Sequence, residues 1–274
     1  VWRRVAGRGG GGGHCLGGAS GRVAVSRTAA CLASEAFTPV VLDCVAKAVQ
    51  KAGAENAELQ VRTRPAAGGG RHCSGRPAGR QRRSRRARAV TEAVEALGRL
   101  DVLVNCAGIQ RYGDVIETPD DVWDEVIAVN LSAVFWMSKR AMPHLLEAGD
   151  AAVVNVASVQ AFAAQQGVAA YSASKGGIVA LTRAMAVDHA PRVRVNAICP
   201  GSVDTPMLRA AAAKFADDPD EAIRAWGAMH PMNRVCTPQE VGDAVVFLAG
   251  PQSSFVTGTA LLVDGGLLSQ IGGT

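Results

Sequence analysis

The stretch LDVLVNCAG, residues 100–108, begins as a short apolar run and ends in a turn of small residues. A second run of this kind, AAVVNVAS at 151–158, follows a long helical pattern over 120–149. Short apolar runs that alternate with helical patterns are typical of parallel strands buried on both faces. The two runs therefore predict an α/β fold in which helices cover both faces of a parallel sheet.

The same alternation continues toward the end of the chain. It predicts a helix over 167–190, a strand over 193–201, a helix that begins with a capping box at Thr237 and Glu240, and a last strand within 257–266. The segment 205–235 is helical in composition but contains three prolines, so it can act as a lid. We predict one doubly wound, Rossmann-type domain with three αβα layers over residues 17–271.

The front of this domain fits the pattern less well. Residues 17–43 predict a glycine turn at Gly18 and Gly21, a small-residue helix, and a strand PVVLD that ends at Asp43. This order is typical of a dinucleotide site, because glycine N–H groups face a pyrophosphate and the acid accepts from ribose hydroxyls. Since Asp43 would repel a 2′-phosphate, it favours NAD over NADP. The strand before the turn is degenerate, since only GGGHCL stands there, and we expect residues 1–16 to form a disordered tail.

The net charge of +5 has a local origin. Residues 62–88 hold ten of the 29 Lys and Arg residues and no acid, whereas the rest of the chain holds 19 basic and 24 acidic residues. This segment contains no large apolar residue, so it predicts a disordered insertion within the domain. Its arginines could contact phosphates, but it has no aromatic residue for base stacking, so we do not expect a nucleic-acid partner.

The seven cysteines indicate the setting in which the protein works. Their irregular spacing predicts neither a disulfide framework nor a metal site, which favours a reducing, cytoplasmic setting. No apolar run approaches the roughly 18 residues of a membrane span. The cysteine spacing therefore leads us to expect no bound metal, and the short apolar runs lead us to expect no association with a membrane.

The pentapeptide YSASK places Tyr171 and Lys175 four residues apart on a predicted helix, so they share one face. A neighbouring cation favours the phenolate form and would lower the tyrosine pKa toward the range of a general base. Ser158 ends a predicted strand, and the carboxyl ends of parallel strands are where such sheets bind ligands. Its hydroxyl could hydrogen-bond a substrate oxygen.

NCAG at 105–108, Asn130, Ser158, the Tyr171-x-x-x-Lys175 pair and PG at 200–201 with Thr205 resemble the ordered motifs of the short-chain dehydrogenase/reductase family. The resemblance is dense over residues 89–271 and loose over 17–61. It implies an oxidoreductase that interconverts a secondary alcohol and a ketone with NAD, or less favourably NADP. It also implies a homo-oligomer, a tetramer or a dimer, assembled through the long helix.

The resemblance implies a role for each matching residue. Tyr171 would be the catalytic acid or base, Ser158 would polarise the substrate oxygen, Lys175 would bond the nicotinamide ribose and lower the tyrosine pKa, and Asn130 would hold a relay water. The other cofactor contacts would come from Gly18, Ser20, Gly21, Val23, Asp43, Asn105, Ala107, Gly108, Pro200, Gly201, Val203 and Thr205.

Six residues near these motifs are candidates for the substrate pocket: Gln110, Arg111, Gln160, Phe162, Trp226 and His230. The polar ones favour a sugar, a polyol or a hydroxy acid, and a 3-oxoacyl thioester is the open alternative. The competing function is a non-catalytic member whose dinucleotide site is impaired, or a nucleic-acid binder through residues 62–88.

Overall fold

The computed structural model describes residues 29–32, 59–62, 90–91, 94–95 and 98–270. Its sheet has six strands, all parallel, in the order β2-β1-β3-β4-β5-β6. The strands are β1 (Ala29–Leu32), β2 (Leu59–Arg62), β3 (Val102–Asn105), β4 (Ala151–Val156), β5 (Val193–Pro200) and β6 (Ala260–Val263). The strand order reverses at β1, and ligands of such sheets bind beside this point at the carboxyl ends of the strands.

The helices connect these strands. They are α1 (Asp120–Val126), a π-helix (Ile127–Ser132), α2 (Ala133–Ala148), α3 (Ala169–His189), α4 (Pro206–Phe215), α5 (Pro219–Ala228) and α6 (Pro238–Ala249). The predicted capping box of α6 is confirmed, since Thr237 accepts from the Glu240 N–H and the Glu240 carboxylate accepts from the Thr237 N–H. Among the described residues, no helix has both the length and the apolar character needed to cross a membrane.

The core lies on both faces of the sheet. Alternate residues of β3 point to opposite faces, so Val102 and Val104 pack with α6 while Leu103 packs with α2 and α3. Strands β3, β4 and β5 are buried along their whole length because both of their faces are covered. The predicted doubly wound α/β domain with three layers is therefore confirmed.

Buried amides tie the central strands together beneath the site. The Asn105 side chain, at the end of β3, donates to Asn155 Oδ1 of β4 at 2.8 Å and to Ser138 Oγ at 3.3 Å. Asn155 in turn donates to Thr182 Oγ1 of α3 at 2.9 Å. Paired buried amides avoid the cost of unsatisfied polar groups, so this network fixes the two strand ends relative to α3.

The front of the sheet differs from the sequence prediction at one point. Ala29–Leu32 falls where a small-residue helix was expected, yet it forms β1 and pairs in parallel with both β2 and β3. Pairing on both edges satisfies the backbone groups of this segment, which outweighs its weak local preference. The strand follows the predicted glycine turn along the chain instead of preceding it.

Several predictions fall outside the described residues. They are the cofactor contacts at Gly18, Ser20, Gly21, Val23 and Asp43, the tail 1–16, and residues 63–88 of the insertion. All of them stay predictions.

Candidate active site

The centre of the site lies where β4 and α3 meet. Ser158 follows β4 and caps a 3₁₀ turn by accepting from the Gln160 N–H at 3.2 Å. Tyr171 and Lys175 lie one turn apart on α3 with side chains buried to 8% and 3% exposure. The Ser158 hydroxyl lies close enough to the Tyr171 phenol to lower the pKa of that phenol. The predicted grouping of these three side chains is therefore present in the structure.

The pKa of Tyr171 differs from the expected direction. Burial raises it to about 12, more than the hydrogen bond from Ser158 lowers it. The Lys175 ammonium lies 5.5 Å from the centre of the Tyr171 ring and donates to the Val156 carbonyl at 2.9 Å. Burial also lowers the pKa of Lys175 to about 8. The pair therefore holds its phenolic proton at neutral pH, and a lowered tyrosine pKa is a wrong expectation for this structure.

Asn130 lies inside the π-helix and is fully buried. Its Oδ1 accepts from the Ile109 N–H at 2.8 Å, and its amide donates to the Ile109 carbonyl and to Ser174 Oγ, each at 3.0 Å. π-Helical turns of this kind are frequent at functional sites. Asn130 thus joins the segment after β3 to the helix that carries Tyr171, and it does not face solvent.

The two ends of the segment 105–108, at the carboxyl end of β3, have different roles in the site. The Asn105 amide is committed to the network beneath the site, whereas Gly108 lies against the Lys175 ammonium. A Cβ at position 108 would lie 3.3 Å from Lys175 Nζ and 3.6 Å from Asn130 Oδ1. A larger residue at position 108 would therefore press on the Lys175 ammonium at the end of β3.

The turn after β5 rests on a buried histidine. The Ser202 N–H donates to His230 Nε2 at 3.2 Å, so Nδ1 carries the hydrogen that meets the Trp226 carbonyl at 2.9 Å. A Cβ at Gly201 would lie 2.7 Å from His230 Nε2, so only glycine fits there. His230 is thus a support for the turn and for α5, and it does not line the pocket.

A cleft of about 430 Å³ opens above these groups. The site residues that line it include Gly108, Ser158, Tyr171, Lys175, Pro200, Gly201, Val203 and Thr205. Of the pocket candidates, Gln110, Gln160 and Trp226 line the cleft, whereas Phe162 is half exposed and Arg111 forms an ion pair with Glu125. Asn105 and Ala107 do not line it.

Sequence reasoning missed an aromatic contact at the rim of the cleft. Tyr112 meets the Phe215 ring edge to face, with centroids 4.6 Å apart, and both line the cleft. A bridge between Gly113 and Val168 holds Tyr112 beside the start of α3. Phe215 is the last residue of α4, 103 positions further along the chain, so no spacing pattern could have joined the two.

Comparisons with known proteins agree with this geometry. Residues 44–268 match the family model described as Enoyl-(Acyl carrier protein) reductase. The 2-(S)-hydroxypropyl-CoM dehydrogenase 3 of Xanthobacter autotrophicus is 41% identical over 180 residues, which cover 65% of this chain and 70% of that protein.

Solved structures give the same result. The ligand-free aldohexose dehydrogenase of Thermoplasma acidophilum has a TM-score of 0.79 at 30% identity, covering 92% of this chain and 97% of that chain. A variant of actinorhodin polyketide ketoreductase with NADPH has a TM-score of 0.73 at 28% identity, covering 89% of this chain and 98% of that chain. The chain is an oxidoreductase that acts on CH–OH groups, and it belongs to the short-chain dehydrogenase/reductase family.

Proposed function

We propose that the protein interconverts a secondary alcohol and a ketone by hydride transfer with NAD or NADP, using Ser158, Tyr171, Lys175 and Asn130. One observation carries the proposal: the Ser158 hydroxyl, the Tyr171 phenol and a buried Lys175 ammonium lie together at the base of one cleft, with Ser158 close enough to Tyr171 to lower its pKa. Two O–H groups that converge at one point can both bind the oxygen of one substrate.

The nicotinamide end of a dinucleotide fits the described part of the cleft. Gly108 and Gly201 both line the cleft and carry no side chain, so a flat ring can approach their backbone closely. Lys175 and Tyr171 would hold the ribose, and Pro200 to Thr205 would hold the carboxamide. When bound, the nicotinamide supplies or accepts the hydride.

The protein side chains would manage the proton. In ketone reduction, the Tyr171 phenol gives its proton to the substrate oxygen while the Ser158 hydroxyl donates a hydrogen bond to the same oxygen. In alcohol oxidation, Tyr171 receives that proton. Asn130 connects Ile109, which follows β3, to Ser174 on the helix that carries Tyr171. The raised pKa of Tyr171 favours the protonated form, which is the form that reduction requires.

The cofactor preference rests on opposing observations. Asp43 after the predicted strand supports NAD, whereas the ketoreductase neighbour was solved with NADPH. We therefore propose NAD as the first cofactor to test and NADP as its direct comparison.

A homo-oligomer belongs to the same proposal. Trp123 and Phe135, on the helices α1 and α2, are each 43% exposed, which supports burial against a second copy. Sedimentation of the purified protein measures the oligomeric state, and a monomer at all concentrations would contradict the proposed homo-oligomer.

Two measurements test the proposed function. Titration of NADH and NADPH, followed by fluorescence, measures dinucleotide binding without turnover. Absorbance of the reduced dinucleotide then measures turnover with sugars, polyols, hydroxy acids and 3-hydroxyacyl thioesters. We expect binding in the micromolar range and turnover with at least one class. Failure to bind either dinucleotide would support the non-catalytic alternative.

A further inference from the structure

The cleft has an apolar wall on the side of α4 and α5. Both helices begin with a proline that follows a side-chain cap, Thr205 for α4 and Asp218 for α5, so their starts are fixed locally. The residues that line this wall are Met207, Leu208, Ala211, Phe215, Trp226 and Met229. An apolar substituent of a substrate would lose contact with water against them.

The opposite side offers neutral hydrogen-bonding groups. The Gln160 amide donates to Gln165 Oε1 at 3.3 Å, and Ser172 Oγ donates to Gln160 Oε1 at 3.4 Å, so the two lining glutamines are held in one arrangement. Amides can both donate and accept, and they carry no net charge. They suit a hydroxyl, a carbonyl or an ester oxygen.

Among the described residues that line the cleft, Lys175 is the only Lys, Arg, His, Asp or Glu. Its ammonium donates to the Val156 carbonyl and lies against Gly108, where the proposed function places the dinucleotide ribose. It is therefore committed to the cofactor side of the cleft.

Two described cations that neighbour lining residues along the chain are paired with carboxylates. Arg111 pairs with Glu125, and Arg209 pairs with Asp204. Lys214 lies at the exposed rim, with Nζ 4.8 Å from the centre of the Tyr112 ring. Among the described residues, a carboxylate next to the reacting carbon would thus face apolar groups and neutral amides with no cation beside it, and a charge that loses hydration without gaining a counter-charge is disfavoured.

We propose that the substrate is uncharged around its reacting carbon, with an apolar substituent facing α4 and α5 and a neutral oxygen-bearing substituent facing Gln160 and Gln165. This inference rests on the proposed function and narrows it. It excludes short hydroxy acids and keto acids, and it retains neutral hydroxyketones, diols and esters.

Matched substrates of nearly equal shape test the charge. Acetoacetate and methyl acetoacetate, and pyruvate and methyl pyruvate, differ chiefly in the carboxylate charge. With saturating reduced dinucleotide, we expect kcat/KM for each ester to exceed that of its acid by at least about 100-fold. Equal activity, or a preference for the acids, would overturn the inference while leaving the proposed function standing. Absence of turnover with all four, together with absence of dinucleotide binding, would overturn both.

A substitution in the wall tests the same idea from the protein side. Ala211→Lys places a cation among the apolar residues, and Ala211→Met is the matched uncharged control of similar length. We expect Ala211→Lys to raise kcat/KM for acetoacetate about tenfold or more over Ala211→Met, with no such gain for the methyl ester. If Ala211→Lys raised kcat/KM equally for the acid and the ester, or did not raise it for the acid, the lack of a cation in the cleft would not explain the preference for the ester. Lys214→Gln should leave the ester-to-acid ratio unchanged, and a change would assign charge recognition to the rim instead.

Discussion

The two sides of the cleft are built by different means. On the strand side, Ser158, Tyr171 and Lys175 are buried, and hydrogen bonds with backbone groups hold Ser158 and Lys175 in place. On the helix side, Phe215 and Met229 are more than half exposed and meet the rest of the site through apolar contacts. Dispersion contacts are weaker and less directional than buried hydrogen bonds, so the two sides tolerate change differently.

This difference separates chemistry from recognition. A substitution on the strand side should act on kcat or on the protonation state of the site. A substitution on the helix side should act on KM and on the choice of substrate.

Among substitutions on the strand side of the cleft, Tyr171→Phe should have the largest effect on catalysis. Loss of the phenolic proton should lower kcat about 1,000-fold, while dinucleotide affinity stays close to that of the parent. Steady-state kinetics and dinucleotide fluorescence measure the two effects. The chain has one other tyrosine, Tyr112, which also lines the cleft. Tyr112→Phe is the matched control, because it removes a phenolic hydroxyl from the rim of the cleft, and it should retain most of kcat. A loss of kcat as large as that of Tyr171→Phe would refute the assignment of Tyr171 as the proton donor.

The pH profile should show the second largest effect. Because burial lowers the pKa of Lys175 to about 8, its ammonium is present below pH 8 and is lost as the pH rises through that value. Tyr171, with a pKa of about 12, keeps its proton over the same range. We expect kcat/KM for the reduced dinucleotide, which reports groups of the free enzyme, to fall about tenfold per pH unit above 8.

Lys175→Arg sharpens this test, since guanidinium keeps its charge throughout the range. Whatever its absolute rate, the variant should show no decline near pH 8. A decline at the same pH in the variant would assign the titration to another group.

The helix side should respond to Phe215→Ala with a smaller effect. This change removes the edge-to-face contact with Tyr112 and part of the apolar wall, so KM for the substrate should rise about tenfold with kcat changed by less than about twofold. Phe255→Ala is the control, since that ring is fully exposed and outside the cleft. A fall in kcat as large as the rise in KM would mean that the wall also positions the reacting groups.

The smallest expected effect comes from a substitution in α6, which lies on neither side of the cleft. Thr237→Ala removes the capping box of α6, which should lower the free energy of unfolding by about 1 kcal/mol without changing kcat or KM. Denaturant unfolding measures the change, and Thr237→Ser should retain most of the cap. A kinetic effect of either variant would show that α6 acts on the cleft.

The sequence was sufficient for those parts of the site that depend on strand ends and helix periodicity. Strands β3 to β6, helix α3 and the grouping of Ser158, Tyr171 and Lys175 follow from apolar runs and from a four-residue spacing. Two of the three prolines in 205–235, Pro206 and Pro219, mark the first residues of α4 and α5. These features depend on local patterns that the fold leaves intact.

Other features depend on the fold itself and left no local signal. The π-helix around Asn130 has no distinct periodicity of its own, and the contact of Tyr112 with Phe215 joins segments far apart in the chain. The pKa of Tyr171 is governed by its depth of burial, which spacing alone does not reveal. Ala29–Leu32 forms a strand because its backbone pairs with β2 on one edge and with β3 on the other.

The imidazole of His230 has a consequence for the affinities of the two ligands. Its two nitrogens connect the Gly201–Ser202 turn, on the proposed cofactor side, to the Trp226 carbonyl of α5, on the substrate side. Any ligand that displaces the turn must also bias the position of the wall, because a single rigid ring spans the distance between them. Energetic linkage of this kind is reciprocal, so the dinucleotide and the substrate should each change the affinity of the other by the same factor.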